Sequence, residues 1–263
     1  MRESGYAKHP EYNVHWEPCP KRVRAFLGGQ AVVDSTRAVL LYETRHTPVY
    51  YFPREDVNST LLTPTAHSTF CPFKGDANYW SVTVDGKTVE NAVWSYPEPF
   101  SEVSGLEDFV SVYWGKMDAW YEEDEEIFVH PRDPYVRLDV LASERQVEVI
   151  LRAEVVASSS RALFVFETGL PTRYYFPPED VRSELLIPSP TSTACPYKGT
   201  AAYWSATING VDVPDIAWTY TRPVAEAAKL AGYIAFFDEN VDATRVAGQI
   251  QSRPKTKWST KEA

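Results

Sequence analysis

Phe70-Cys71-Pro72-Phe73-Lys74-Gly75-Asp76-Ala77-Asn78-Tyr79-Trp80-Ser81 returns later in the chain as Ala194-Cys195-Pro196-Tyr197-Lys198-Gly199-Thr200-Ala201-Ala202-Tyr203-Trp204-Ser205. The shift is 124 positions (195 − 71 = 124 for the cysteines), and it also carries Tyr51 onto Tyr175, Trp94 onto Trp218 and Arg37 onto Arg161. Between Tyr50 and Gly86 well over half the positions are identical to their partners, without a gap. Two copies are too few for a solenoid, and a copy of about 120 residues has the size of a domain. We therefore expect a tandem duplication, with a first domain over 1–126, a second over 127–248 and a polar, frayed tail over 249–263. The acidic run Glu122-Glu123-Asp124-Glu125-Glu126 reads as a solvated linker or domain edge.

Each copy reads as mainly β. Val23–Phe26, Gly28-Gly29 and Ala31–Val33 have the pattern of a hairpin. Tyr79–Val84 alternates and then meets Asp85-Gly86, which the second copy replaces with Asn209-Gly210. Both dipeptides favour a type I′ turn, so the next strand is expected to run back through Trp94 and Tyr96. Helix is limited to Val224–Leu230 after Pro223, a weaker counterpart over Phe100–Asp108, and one turn at Glu55-Asp56-Val57.

Bulk properties bound the function. The chain has 263 residues, of which 44% are hydrophobic, 24% charged and 14% aromatic, and its net charge is −10. That charge argues against a general nucleic-acid or anionic-membrane surface, so neither partner is expected. Met1-Arg2-Glu3-Ser4-Gly5-Tyr6 has no apolar run behind it, so no signal peptide is expected. Three cysteines in a chain of this length read as free thiols in a reducing compartment, and a cytoplasmic location is expected.

The strings Tyr-Tyr-Phe-Pro at 50 and 174, Cys-Pro-x-Lys-Gly at 71 and 195, Tyr-Trp at 79 and 203, and the later Trp94 and Trp218 resemble the domain of unknown function 427 family, and the resemblance spans nearly the whole chain. It implies two tandem β-tent (Mss4-like) domains of antiparallel strands, each with one or two short helices. It implies no settled activity. Some classifications call the family nucleotidyltransferase-like, a label that nothing in these residues supports by itself.

A site common to both copies must use residues that both contain. Zinc needs about four ligands. Each copy has one shared cysteine, Cys19 corresponds to Ser143, and His67 corresponds to Thr191, so no metal and no cofactor are expected. A thiol–imidazole pair is open to the first copy alone, from Cys71 and His67. Cys71 and Cys195 read either as small packing residues or as thiolate nucleophiles. Lys74 and Lys198 read either as exposed turn residues or, with Arg37 and Arg161, as anchors for a carboxylate or phosphate. Tyr51, Tyr79, Trp80 and Trp94, with Tyr175, Tyr203, Trp204 and Trp218, read either as core or as the aromatic wall of a pocket. Glu43 and Glu167 are rim charges or partners of Arg37 and Arg161, and Glu55-Asp56 is a capped turn. Three functions remain open: a module binding a small anionic or polar ligand, an enzyme using the thiols or lysines, and a structural or partner-binding protein.

Overall fold

The computed structural model describes residues 2–259. The chain divides into two compact units, residues 1–133 and 134–263. The first unit has strands β1 (Val14–Pro18), β2 (Val23–Leu27), β3 (Gln30–Ser35), β4 (Val39–Glu43), β5 (Val49–Pro53), β6 (Leu62–Cys71), β7 (Gly75–Val84), β8 (Lys87–Ser95), β9 (Phe109–Val112), β10 (Ala119–Glu122) and β11 (Glu125–Ile127). They form one seven-stranded antiparallel sheet in the order β1-β4-β5-β9-β8-β7-β6 and one four-stranded sheet in the order β11-β10-β2-β3.

Strands β12 (Leu138–Ala142), β13 (Val147–Leu151), β14 (Glu154–Ser159), β15 (Leu163–Glu167), β16 (Arg173–Phe176), β17 (Leu186–Cys195), β18 (Gly199–Ile208), β19 (Val211–Arg222), β20 (Ile234–Phe236), β21 (Ala243–Val246) and β22 (Gln249–Ile250) build the second unit. Its sheets run β12-β15-β16-β20-β19-β18-β17 and β14-β13-β21-β22, strand for strand the arrangement of the first.

The continuous apolar runs Val39-Leu40-Leu41 and Tyr50-Tyr51-Phe52 follow from this layering. Successive side chains of a strand point to opposite faces. Leu40, Tyr50 and Phe52 enter the core between the two sheets, with Val23, Val32, Val82 and Trp120. Val39, Leu41 and Tyr51 enter a second core on the outer face of the large sheet, closed by Tyr6, Tyr12, Val103 and Leu106. Both faces of the central strands are therefore buried, and alternation is lost there. Each fully buried Phe or Leu contributes about 1.5–3 kcal/mol.

The Asp85-Gly86 and Asn209-Gly210 turns have φ of 49° and 79°, and 52° and 75°, as a type I′ hairpin requires. The Cys-Pro-x-Lys-Gly corner joins β6 to β7 and β17 to β18. In the first unit Lys74 N–H donates to the Cys71 carbonyl at 3.3 Å, which closes a turn with Pro72 at its second position. Gly75 and Gly199 follow at φ of 104° and 99°. A Cβ on Gly199 would stand 2.9 Å from the Arg222 carbonyl oxygen, and one on Gly75 would stand 3.1 Å from that of Glu98. Gly199→Ala is accordingly expected to lower the stability of the second unit by about 2 kcal/mol. Chemical denaturation followed by hydrogen exchange of β17–β18 peptides checks this; an unchanged exchange rate would show that the corner can relax.

Some expectations change. The acidic run is a hairpin rather than a linker: Glu122 ends β10, Glu125–Ile127 is β11, and Glu122 is buried, where it accepts from the Tyr50 hydroxyl and pairs with Lys21. The start of the tail is ordered: β22 pairs with β21, Gln251 N–H donates to the Thr244 carbonyl at 2.8 Å, and Arg253 donates to the Val241 carbonyl at 2.8 Å. Residues 260–263 lie outside the described residues. The helix expected over Val224–Leu230 is a 3-10 helix over Ala225–Leu230, and Phe100–Asp108 holds two 3-10 turns. Segments this short do not repay the cost of nucleating an α-helix. Among the described residues no helix is long and apolar enough to cross a membrane.

Candidate functional site

Tyr79 and Trp80 are neighbours on one strand, so they serve opposite faces. Tyr79 joins the outer core with Tyr51 and Trp94, whereas Trp80 packs on the inter-sheet core, under the Arg54 guanidinium at 5.8 Å. The second unit divides in the same way: Tyr175, Tyr203 and Trp218 share the outer face, and Trp204 packs against the inner core. The expected aromatic wall is thus three residues per unit rather than four.

The wall is hydrogen-bonded alike in both copies. Trp94 Nε1–H donates to the Tyr51 hydroxyl at 3.2 Å, and Trp218 Nε1–H to the Tyr175 hydroxyl at 3.0 Å. The Tyr79 hydroxyl meets that of Thr69, and the Tyr203 hydroxyl that of Thr193, both at 2.8 Å. Burial raises the Tyr51 and Tyr175 phenols above their ordinary range, so both remain neutral. Tyr113 extends the first wall, its ring 4.3 Å from Trp94 and half-exposed; Phe237 takes its place in the second, 4.5 Å from Trp218. Burial, with the bond to Tyr79, pushes the Tyr113 phenol up to about 12.

The cations go elsewhere. Lys74 is buried, with its ammonium 5.9 Å from the Tyr96 ring, and pairs with Glu43, and Lys198 is buried and pairs with Glu167 in the same position. Burial pushes the Glu43 carboxyl up, but the bonds from Lys74 and from the Tyr12 hydroxyl (2.6 Å) more than reverse it, and its pKa lies below the usual range. Arg37 does not reach Glu43. It pairs with Asp56 and Glu55, as Arg161 does with Asp180 and Glu179. These bonds clamp the β3–β4 and β14–β15 connections to the 3-10 turns Arg54–Asp56 and Pro178–Asp180. Glu55 and Asp56 therefore hold an arginine and cap no helix, since Pro53 stands at the cap position without a side-chain bond. The expected Arg37–Glu43 and Arg161–Glu167 pairs are replaced by Lys74–Glu43 and Lys198–Glu167.

Cys71 and Cys195 are half-buried against the outer core. His67 stands four residues before Cys71 on β6, a separation on the order of 10 Å along a strand. Its ring instead packs 4.5 Å from Tyr79, so no thiol–imidazole pair forms.

Beyond Tyr79 the outer face of the first unit is open. A groove of about 430 Å³ runs over β6, β7 and β8, with His67 on its rim. Ser81, Asn91 and Thr65 form its floor: Ser81 Oγ accepts from Asn91 N–H at 3.2 Å, and Asn91 Oδ1 accepts from the Thr65 hydroxyl at 2.7 Å. Asn91 sits at φ of 51° where β8 bulges, a conformation that asparagine tolerates. Thr63, Glu90 and the hydrogen-bonded hydroxyls of Thr83 and Thr88 complete the lining. Sequence reasoning missed this groove. Its only sign there is small polar residues two apart, at 63/65 and 81/83, on strands otherwise rich in β-formers. The second copy places Ile187, Thr191 and Pro214 at the positions of Thr63, His67 and Glu90.

A family model described as "Domain of unknown function (DUF427)" matches residues 15–123 and again residues 139–247. No curated protein matches the chain.

Proposed function

We propose that this chain, which belongs to the DUF427 family and carries one family domain in each unit, is a binding protein for small polar, hydroxyl-bearing ligands, with a principal site on the outer sheet face of the first unit. The observation that carries the proposal is the 430 Å³ groove over β6, β7 and β8, whose rim residue His67 packs against Tyr79 of the aromatic wall. Its volume lies within the range of small-molecule sites, roughly 300–1,000 Å³. Its hydroxyls, amide and carboxylate offer donors and acceptors across one ligand, while His67, packed on Tyr79, supplies ring surface beside them. An anion is disfavoured, because Lys74 and Lys198 are already neutralised by carboxylates and Glu90 lines the groove. The negative net charge argues in the same direction and against nucleic acid. Three free thiols fit a reducing compartment, and we place the protein in the cytoplasm.

Ligand-observed NMR of the full chain against monosaccharides, disaccharides, polyols and nucleosides tests this. At least one class is expected to bind, with affinity at least tenfold weaker, about 1.4 kcal/mol, in Thr83→Val or His67→Ala. Silence across the library, or binding indifferent to both substitutions, would reject the groove as the site.

A further inference from the structure

The constant offset of 124 positions holds to the last strand, where β21 and β22 pair in the register of β10 and β11. Corresponding positions near that end can therefore be compared directly. In the first unit Trp114 and Trp120 stack with ring centroids 4.7 Å apart, and Trp120 Nε1–H donates to the Trp114 carbonyl at 3.1 Å. Ile127 is buried beside them, and Phe128 follows it. The second unit has Asp238, Thr244, Gln251 and Ser252 at these four places. All four line a cavity of about 230 Å³, which Tyr174 also borders.

We propose that the second unit carries a binding cavity for a small organic cation, an ammonium compound held by Asp238 in the volume that Trp114 and Trp120 fill in the first unit.

Volume and charge both support this. Replacing large core residues by small ones leaves unfilled space and is destabilising when nothing replaces the lost contacts. A cavity of about 150 Å³ accommodates benzene, so 230 Å³ admits a somewhat larger molecule. The lining is polar, so its natural occupant carries hydrogen-bonding groups.

Charge selects the class. Asp238 and Glu239 are both buried, and one arginine, Arg173, serves them both: it reaches Asp238 at 3.2 Å and Glu239 at 2.7 Å. One negative charge is left over beside the cavity. Burial pushes the Asp238 carboxyl up, as expected of a carboxylate short of compensation. Asp238 accepts from the Thr244 hydroxyl and from Arg173, and two bonds leave capacity on a carboxylate for a further donor. Asp242, also in the lining, accepts from Ala153 N–H at 2.8 Å, and Arg253 is turned to the Val241 and Asp242 carbonyls. Arg253 brings one positive charge and Asp242 one acidic group, so Asp238, Glu239 and Asp242 still outnumber Arg173 and Arg253 by one. Among the described residues no group of three metal-ligating side chains occurs, so the donor set suits an ammonium group better than a divalent ion.

Calorimetry of the full chain with n-butylamine, 1,4-diaminobutane and benzylamine, beside 1-butanol and butyrate as neutral and anionic controls, tests the proposal. At least one amine is expected to bind saturably, and the controls not at all. Asp238→Asn keeps the shape and removes the charge; amine affinity should fall at least tenfold. Thr244→Trp restores the first unit's filling and should abolish binding. If Thr244→Trp fails to fold, Asp238→Asn alone decides. Absence of amine binding at millimolar concentration, equal binding of the controls, or amine binding unchanged in Asp238→Asn would overturn the proposal. The groove of the first unit shares no residue with this cavity, so loss of either site leaves the other measurable.

Discussion

Lys198→Ala is expected to destabilise the second unit by about 3–5 kcal/mol, whereas Lys198→Met combined with Glu167→Leu should cost little or nothing. The ammonium and carboxylate of this pair are each about 10% exposed, so neither regains full hydration when the other is removed. A buried charge without its partner keeps its desolvation penalty, while removal of both eliminates it. The first unit provides an internal gradation. Glu43 holds both Lys74 and the Tyr12 hydroxyl, but Val136 stands at the position of Tyr12 in the second unit. Lys74→Ala should therefore cost less than Lys198→Ala. Hydrogen exchange resolved by peptide measures both units within one chain. The pH dependence has a defined sign. Glu43 has a folded pKa below its unfolded value of about 4.3, so its contribution is complete above that value. It is lost as pH falls through the depressed folded pKa, and stability of the first unit should decline there. If Lys198→Ala instead falls within about 1 kcal/mol of the unmutated protein, as solvated ion pairs do, the lysine is accessible and an anion anchor at this corner becomes tenable again.

This pair also marks where sequence reasoning stopped. The duplication, the hairpins at Asp85-Gly86 and Asn209-Gly210, and the corner at Gly75 and Gly199 are written in local chemistry: fixed spacing, turn dipeptides and a backbone conformation that suits glycine. The fate of Lys74 is not local. It depends on Glu43, 31 positions away, reaching the same patch of the outer face. Arg37 and Glu43 are close in sequence, yet they part because Arg37 precedes β4 and Glu43 ends it. The division between Tyr79 and Trp80 was available from strand parity alone, once both lay on one strand. The groove was not, because threonine and serine on a strand look the same whether they line an opening or face bulk solvent. The acidic run misled for a related reason. Its charges resemble a linker, but Glu122 is stabilised inside by Tyr50 and Lys21, neither of which is nearby in sequence.

Arg173→Val should be comparably severe, at about 3–5 kcal/mol, even though it installs a residue that the first unit uses at the same place. Val49 occupies that position on β5, and it is tolerated because Trp114 and Gly115 stand where the second unit has Asp238 and Glu239. In the second unit the Arg173 guanidinium bonds to Glu239 through two nitrogens and to Asp238 through one, and it lies 5.8 Å from the Trp218 ring. Burial opposes the charge on Glu239, yet Arg173 and the Thr256 hydroxyl bring its pKa below the usual range. Without Arg173 two buried carboxylates lose the one guanidinium that bonds them both, and the cost exceeds that of lost packing. The remedy follows from the other copy. Arg173→Val, Asp238→Trp, Glu239→Gly and Thr244→Trp together transplant the first unit's apolar arrangement and should recover most of the loss. Asp238→Asn alone should recover part, because it removes one of the two stranded charges. Equilibrium unfolding of the single, double and quadruple variants separates the alternatives: recovery places the cost in unpaired charge, whereas uniform loss in all of them would place it in the packing of the arginine stem against Trp218.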